Sequence, residues 1–538
     1  NIYNLGKKEN IITNSLWLDS IPEEIFINDL KTKYSYKPTP YVINPLIGEY
    51  DKPAAQEQGP LNVNLTDGNL IIWGQGGSGK ENLLSTIIWS TCIEHTPQEV
   101  NFYIIDCGSE ALRIFNSMPH VGDIATLEDT EKIINTLVMV EEELQYRKDI
   151  MADYGGSYKE YIKNSGKKIP LLVTIINSYE IFNETYGRLA ESIQTFFRDG
   201  SKYGIIFIVS AIATNGVKAR SVQNFSNKIC LKIPNEQEYR SVVNAPRGLL
   251  PAKIFGRGLV ARDSSAVEFQ TALFCQRKDM VKVVKSASEQ FNAAYKYKAK
   301  KIAVVPNVVY ANTLLDQVNS IDDLPIGIGI ESKEPFKYDF TARKITTILA
   351  NKFNMEKLSF VKTFIDFVKS INNININIID LSQTFEGVFN DIKYYSKDFD
   401  NAMIDVNNFI MTNKESEKKT FNILVGAGLL KIKLSEQGKA IVNNIFTNLP
   451  NLSNTYFILI DSYSSFRNLQ TEIWYQSNAD NTSGIWLGEE VNNQIAININ
   501  DLSLEDRKKA FPYMAFAVNK GQYTIIKHVV EDEEDNNE

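Results

Sequence analysis

Cysteine and histidine are scarce in this chain: four of one and three of the other in 538 residues. Cys92, Cys107, Cys230 and Cys275 are scattered, three of them inside apolar runs. They read as buried free thiols of a reducing compartment, with no disulfide framework and no metal-ligand spacing. His95, His120 and His528 form no cluster. Also missing is any run of about 18 apolar residues, the length a membrane-crossing helix requires. Positive charge is in deficit: 65 acidic against 57 basic residues leave a net charge of −8. Tracking along nucleic acid calls for Lys/Arg stripes that neutralise phosphates, and the nearest run, YKYKAKK at 295–301, is short. The chain closes on EDEEDNNE, an acidic stretch expected to be solvated, and opens at Asn1 rather than Met, as expected of a piece of a longer protein.

What is present is an ordinary globular composition, 43% hydrophobic and 23% charged, in a chain too long for one core; two or three domains are expected. Its organising stretch is Leu70 to Ile88, LIIWGQGGSGKENLLSTII. An apolar strand breaks into a glycine-rich turn that runs into a helix with Leu83, Leu84, Ile87 and Ile88 at helical spacing. This is the strand–loop–helix of a phosphate-binding loop. Gly74, Gly76, Gly77 and Gly79, with Gln75 and Ser78 between them, let backbone N–H groups converge on an anion. The helix N-terminus (Lys80, Glu81, Asn82) adds its dipole, and Lys80 an ammonium. Gly74, Gly79 and Lys80 meet the G-x4-G-K-[ST] template; Glu81 stands where a hydroxyl should hold Mg²⁺.

Around this loop, apolar strands (100–109, 169–180, 203–215, 228–233, 257–262) alternate with helices, the pattern of a mainly parallel sheet covered on both faces. From about residue 301 the pattern restarts. NINIIDLS matches NFYIIDCG, TYFILIDSYSSF matches LVTIINSYEIF, and SGIWLGEE matches YGIIFIVS, all at near-constant offset. ITTILANKFNMEKLSF takes the place of the phosphate loop, with Met355 and Glu356 in its glycine and lysine positions. Two tandem α/β domains of one ancestry are expected, 1–300 and 301–538, with a helical linker over 277–300.

A working phosphate-loop ATPase needs an acidic residue closing an apolar strand to hold the Mg²⁺ shell. After LLVTII stands Asn177, an amide, so that anion is missing; Glu180, three residues on, is the nearest substitute. Asp106 also ends a strand but reads as a turn or helix-capping residue. In the second half Asp461 closes YFILI beside a ruined loop and reads as a relic or a capping residue. Arg198 and Arg257 are candidates for arginine fingers or, alternatively, for surface ion pairs. Weak nucleotide binding and very slow or absent hydrolysis are expected, with ATP confined to the first domain and Mg²⁺ short of its anchors.

The order of PLIGEYDKPAAQEQGP, GNLIIWGQGGSGK, FYIIDCG, IPLLVTIINSYE, FFRDGSKYGIIFIVSA and FGRGLVARD resembles the FtsK/SpoIIIE-type ATPase domains. More narrowly it is similar to the last two cytoplasmic domains of the EssC/EccC family of type VII secretion motors. That resemblance implies two RecA/FtsK-like domains and a hexameric motor anchored in a bacterial membrane by segments outside this chain. It also implies partners among secreted helical hairpins and other secretion components. On it, Gly74 to Lys80 fall on the Walker A motif and Asn177 on the Walker B aspartate. Three functions stay open: a divergent, substrate-docking part of such a motor; an active ATPase in which Glu81 and Glu180 supply the missing carboxylates; and a DNA translocase, which the charge balance disfavours.

Overall fold

The computed structural model describes residues 18–262 and 265–532; Trp17 and most of the acidic tail lie outside the described residues. The chain divides into two compact units, Asn1–Val304 and Val305–Glu538.

Among the described residues the first unit is built on ten strands: β1 (Leu46–Lys52), β2 (Glu57–Asn62), β3 (Leu70–Trp73), β4 (Val100–Asp106), β5 (Val121–Thr126), β6 (Leu171–Asn177), β7 (Ile205–Ala211), β8 (Asn227–Cys230), β9 (Arg257–Arg262) and β10 (Ser265–Thr271). They lie in the order β2-β1-β10-β9-β8-β3-β7-β6-β4-β5. From β8 to β5 every pairing is parallel; from β8 to β2 every pairing is antiparallel. The central parallel strands β3, β4, β6 and β7 are buried along their whole length because both faces are covered. Leu70 and Ile72 enter the core on one face, Ile71 and Trp73 that on the other.

The helix Lys80–Glu94 buries Leu83, Leu84, Ile87, Ile88 and Cys92 in the first of these cores. Its hydroxyls are absorbed too: Thr86 donates to the carbonyl of Ala272 at 2.8 Å and Ser90 to that of Leu46 at 2.9 Å. The phosphate-loop helix is thereby fixed between the two antiparallel strands and the parallel ones. The expected linker is instead part of this unit. Its helix, Met280–Ala294, places Val284 in the same core, with Met280, Val283, Ala287 and Phe291 around it.

The second unit repeats the plan with β11 (Val309–Tyr310), β12 (Leu324–Gly329), β13 (Pro335–Tyr338), β14 (Ile345–Ala350), β15 (Ile374–Asp380), β16 (Lys393–Tyr395), β17 (Lys419–Val425), β18 (Thr455–Ser462), β19 (Gly484–Leu487), β20 (Met514–Asn519) and β21 (Gln522–Val530). The order is β13-β12-β21-β20-β19-β14-β18-β17-β15-β16, with β11 added on β21. Position for position, β14 replaces β3, β18 replaces β7, β17 replaces β6 and β19 replaces β8. Two of the expected matches are therefore corrected. TYFILIDS is the counterpart of β7 and not of β6, because it pairs directly with the strand before the loop. GIWL is the counterpart of β8, because it is the last parallel strand before the antiparallel ones. The match of NINIIDLS to NFYIIDCG holds: β15 and β4 share one place in the order.

Candidate phosphate-binding site

Beyond the carboxyl end of β3 the chain makes the expected glycine turn. Gly74 N–H donates to the carbonyl of Ala211 at 2.9 Å and Gln75 N–H to that of Lys232 at 2.7 Å, so the loop grows out of the sheet with its first two amides already spent. Gly76 and Gly77 are exposed, while Ser78, Gly79 and Lys80 are buried. Gly77 and Gly79 have φ of +74° and +102°, conformations that favour glycine. A Cβ at Gly79 would lie 2.9 Å from the Gly256 nitrogen. Among the described residues, the N–H groups of Gly76, Gly77 and Gly79 donate to no backbone carbonyl. They stay available to an anion.

Lys80, the first helical residue, is 3% exposed. Its only carboxylate neighbour within ion-pair reach, among the described residues, is Glu81, with Nζ 3.9 Å from Oε1. Two further polar atoms here are buried without a partner, Ser78 Oγ and Asn82 Oδ1. Buried polar atoms are normally satisfied. An orphaned hydroxyl and a buried ammonium beside free amides are the signature of a site built around an oxyanion.

The metal side is different. Asn177 is fully buried, and both ends of its amide are engaged. Nδ2 donates to Asp106 Oδ1 at 2.8 Å, and Oδ1 accepts from the Ser210 hydroxyl at 2.6 Å. Asp106 also accepts from the N–H groups of Gly108 (3.1 Å) and Leu112 (3.3 Å), so it caps the turn after β4. The carboxyl ends of β4, β6 and β7 are thus tied by an Asp–Asn–Ser chain of hydrogen bonds. A carboxylate at 177 would face Asp106 as a like charge; an amide is the residue that fits. Glu180 accepts from the N–H of Ile212 at 3.2 Å, while its other oxygen, Oε2, is buried and unpaired. Burial, with the Asp106 and Glu180 carboxylates adding to it, pushes the neighbouring Cys107 thiol up to about 12. It is no nucleophile at neutral pH.

Of the two arginine candidates, Arg198 is exposed and forked onto Asp199 through Nε (2.7 Å) and Nη2 (2.9 Å). The finger reading of Arg257 is overturned. Arg257 is 5% exposed, with Nε on Gln270 Oε1 at 2.8 Å and Nη2 on the carbonyls of Ile21 and Pro22 at 3.0 and 3.3 Å. A side chain so held cannot extend to a neighbour. It braces the turn into β9, where Gly256 N–H donates to the Ser78 carbonyl at 3.0 Å. Residue type alone did not foretell this. The available signal was Gln270, an amide in an apolar strand, directly opposite Arg257 in the β9–β10 register.

In the second unit only four residues, Asn351–Asn354, join β14 to the helix Met355–Ser370, against six in the first. Met355 therefore falls opposite Lys80, and Glu356 opposite Glu81, one step from the expected alignment. Met355 is exposed. Glu356 accepts from the N–H of Tyr513 at 2.7 Å and lies 3.4 Å from His528 Nε2. Where the loop would hold phosphate there is a cavity of about 170 Å³ lined by Phe353, Leu358, Phe385, Val425 and Asp461. Val425 pairs with Asp380 as Asn177 pairs with Asp106, so it holds the position of the metal-binding carboxylate. Asp461 lies on the neighbouring strand, opposite Leu349, so of its two readings, relic or cap, the structure matches the cap. It caps local turns, accepting from the N–H groups of Gly428 (2.6 Å) and Ser462 (2.7 Å).

A glycine loop between a parallel strand and a buried helix, on a sheet of this order, defines a phosphate-loop fold; the chain carries the plan twice, the second time without the loop. Residues 38–224 match the FtsK/SpoIIIE family model. The ESX secretion system protein EccC of Geobacillus thermodenitrificans is 27% identical over 301 residues, 54% of this chain and 20% of its own length. The type VII secretion system protein EssC of Staphylococcus aureus (strain MRSA252) is 24% identical over 424 residues, 75% of this chain and 28% of its own. The chain spans less than a third of the length of these relatives. Among solved structures, EssC (ATPases 2 and 3) from Geobacillus thermodenitrificans superposes with a TM-score of 0.76 at 18% identity, covering 96% of this chain and 100% of that one. Thermomonospora curvata EccC (ATPases 2 and 3), solved in complex with a signal sequence peptide, gives 0.50 at 18%, covering 92% and 94%. The fold is that of tandem EssC-type ATPase domains 2 and 3. The described residues contain no helix long and apolar enough to cross a membrane.

Proposed function

We propose that this chain is the cytoplasmic C-terminal part of a type VII secretion motor, with two divergent phosphate-loop domains that serve substrate recognition, assembly and regulation. The first unit binds nucleotide weakly through Gly74–Asn82 and hydrolyses it very slowly or not at all; the second binds none by the phosphate-loop route. Its cargo is secreted helical hairpins, and the full-length motor works as a membrane-anchored hexamer. The observation that carries this reading is the engagement of Asn177 between Asp106 and Ser210, which leaves the retained loop without a carboxylate at the magnesium position. The signal peptide bound to the related EccC supports the docking role.

Two measurements test it. Mg²⁺-dependent ATP hydrolysis by the intact chain stays far below the ~1–10³ s⁻¹ typical of enzymes and is no lower in Lys80→Ala. Immobilised chain retains a type VII helical-hairpin substrate and releases a version lacking its C-terminal signal. Turnover at ordinary enzyme rates that Lys80→Ala abolishes would establish the second reading, an active ATPase. That reading has one observation of its own, the unpaired Glu180 Oε2 beside the end of β7, and Glu180→Gln would then be inactive.

A further inference from the structure

The turn that docks on the phosphate loop carries an aromatic ring. Phe255 immediately precedes Gly256, whose N–H donates to Ser78, and its Cε1 lies 3.4 Å from where a Cβ on Gly79 would be. The ring therefore stands against the last glycine of the loop, next to the start of the Lys80 helix. On it lies the guanidinium of Arg277, with Cζ 3.8 Å from the ring centroid. Phe255 is half-buried and Arg277 exposed, so the pair forms a step with a buried foot and a solvent-facing top.

The step is held from below. Gln270 Nε2 donates to the Phe255 carbonyl at 2.9 Å, and Gln270 Oε1 accepts from the buried Arg257. Arg277 follows directly on Phe274 to Gln276, and Phe274 stacks on Trp89 of the phosphate-loop helix at 4.7 Å between centroids. Two separate segments thus converge on one side of the loop, each anchored to the sheet or the helix. The anchoring is more than a surface Arg–Phe contact needs.

Planar guanidinium and aromatic surfaces are the groups on which nucleobases stack, whatever the base. We infer that the Phe255–Arg277 pair is the stacking platform for the base of a nucleotide whose phosphates lie in the loop Gly74–Lys80. The inference rests on the nucleotide-binding reading above and adds where the base lies and that recognition is by stacking, tolerant of base identity. In the second unit the residue before the corresponding corner, Tyr513, is Pro512, which offers no such face.

The test is calorimetric titration of the intact chain with ATP, GTP and inorganic tripolyphosphate, for the parent, Arg277→Ala, Phe255→Ala and Lys80→Ala. Base stacking is worth about 1–3 kcal/mol per base, so Arg277→Ala and Phe255→Ala should each weaken ATP and GTP about tenfold and leave tripolyphosphate unchanged. Lys80→Ala should weaken all three. Arg277 is exposed, so its variant folds even if truncating Phe255 disturbs the turn. The inference is overturned if the parent binds tripolyphosphate as tightly as ATP, or if Arg277→Ala leaves ATP binding intact. Loss of tripolyphosphate binding in the parent as well would instead remove the nucleotide-binding reading beneath it.

Discussion

The two units share a strand order position for position and differ at the carboxyl ends of the same strands. In the first, six loop residues leave amides open to an anion, and the turn into β9 rests on a loop carbonyl through Gly256. In the second, the loop is two residues shorter, and the corresponding turn rests on a carboxylate, Glu356, through the N–H of Tyr513. The same joint between the helix start and the antiparallel strands is made in both, by a backbone acceptor in one and a side-chain acceptor in the other. Keeping this joint preserves the sheet whether or not a ligand is bound. The packing that fixes the loop lies in the two faces of the sheet and not in the loop.

The comparison breaks most visibly at Asn177. Asn177→Asp would set a second carboxylate against Asp106 at the 2.8 Å separation of the present hydrogen bond, in a site with no solvent. Breaking such a buried network should cost about 3–5 kcal/mol at neutral pH, read as a large fall in the melting temperature of the first unit. The swap Asp106→Asn/Asn177→Asp should recover most of it. In the second unit, Val425→Asn should not reproduce the chain, because the adjacent Asp380 already accepts from Ser382 (2.7 Å), Tyr394 (2.8 Å) and the N–H of Phe385 (2.7 Å).

Next in size is an acid sensitivity confined to the first unit. His120 is fully buried; Nε2–H donates to the His95 carbonyl at 2.8 Å, and Nδ1 has no partner between the rings of Phe291 and Tyr295. Protonation would bury an unsatisfied donor, and burial holds its pKa down at about 4. The unfolded chain takes up that proton near 6.5. Stability is therefore complete above about pH 6.5 and declines as pH falls toward 4, by on the order of 3 kcal/mol. His120→Phe should flatten that slope in chemical denaturation, and a slope left unchanged would discard the assignment.

Lys80→Ala should cost about 1.5–3 kcal/mol of phosphate affinity, the worth of a hydrogen bond to a charged group. Met355→Lys should restore none in the second unit, because its loop offers no set of free glycine amides. The smallest effect separates the two glutamates. Hydrogen bonding to His528, then to the Tyr513 N–H, holds Glu356 below the ordinary carboxylate range. Its stabilisation is present above the unfolded value, near 4.5, and fades as pH falls further. Glu356→Gln should cost about 1 kcal/mol at pH 7 and reduce this acid dependence in the second unit. Glu81→Gln should cost less at pH 7, since among the described residues the one ion pair of Glu81 is the 3.9 Å approach to Lys80.

Much of this arrangement is legible in the sequence. Continuous apolar runs announce a buried parallel sheet, and GQGGSGK between a strand and a helix announces the loop. What misleads is the sameness of such runs: YFILI and LLVTII look alike, yet one pairs with the loop strand and the other lies one strand further out. Chain order does not give sheet order, and KTFNILV, masked by its Lys, Thr and Asn, was the strand needed to bring the second half into register. Side-chain fate was equally hidden. Arg198 and Arg257 carry the same charge, but only burial distinguishes a solvent-facing fork from a brace inside the unit.

Phosphate binding separated from metal binding is the core of the proposed function. Titrating the intact chain with ATP in the presence of Mg²⁺ and again with EDTA measures this directly. The proposed function predicts the same weak affinity in both, within about twofold, and equal sensitivity to Lys80→Ala. Affinity that rises tenfold or more with Mg²⁺ would contradict it.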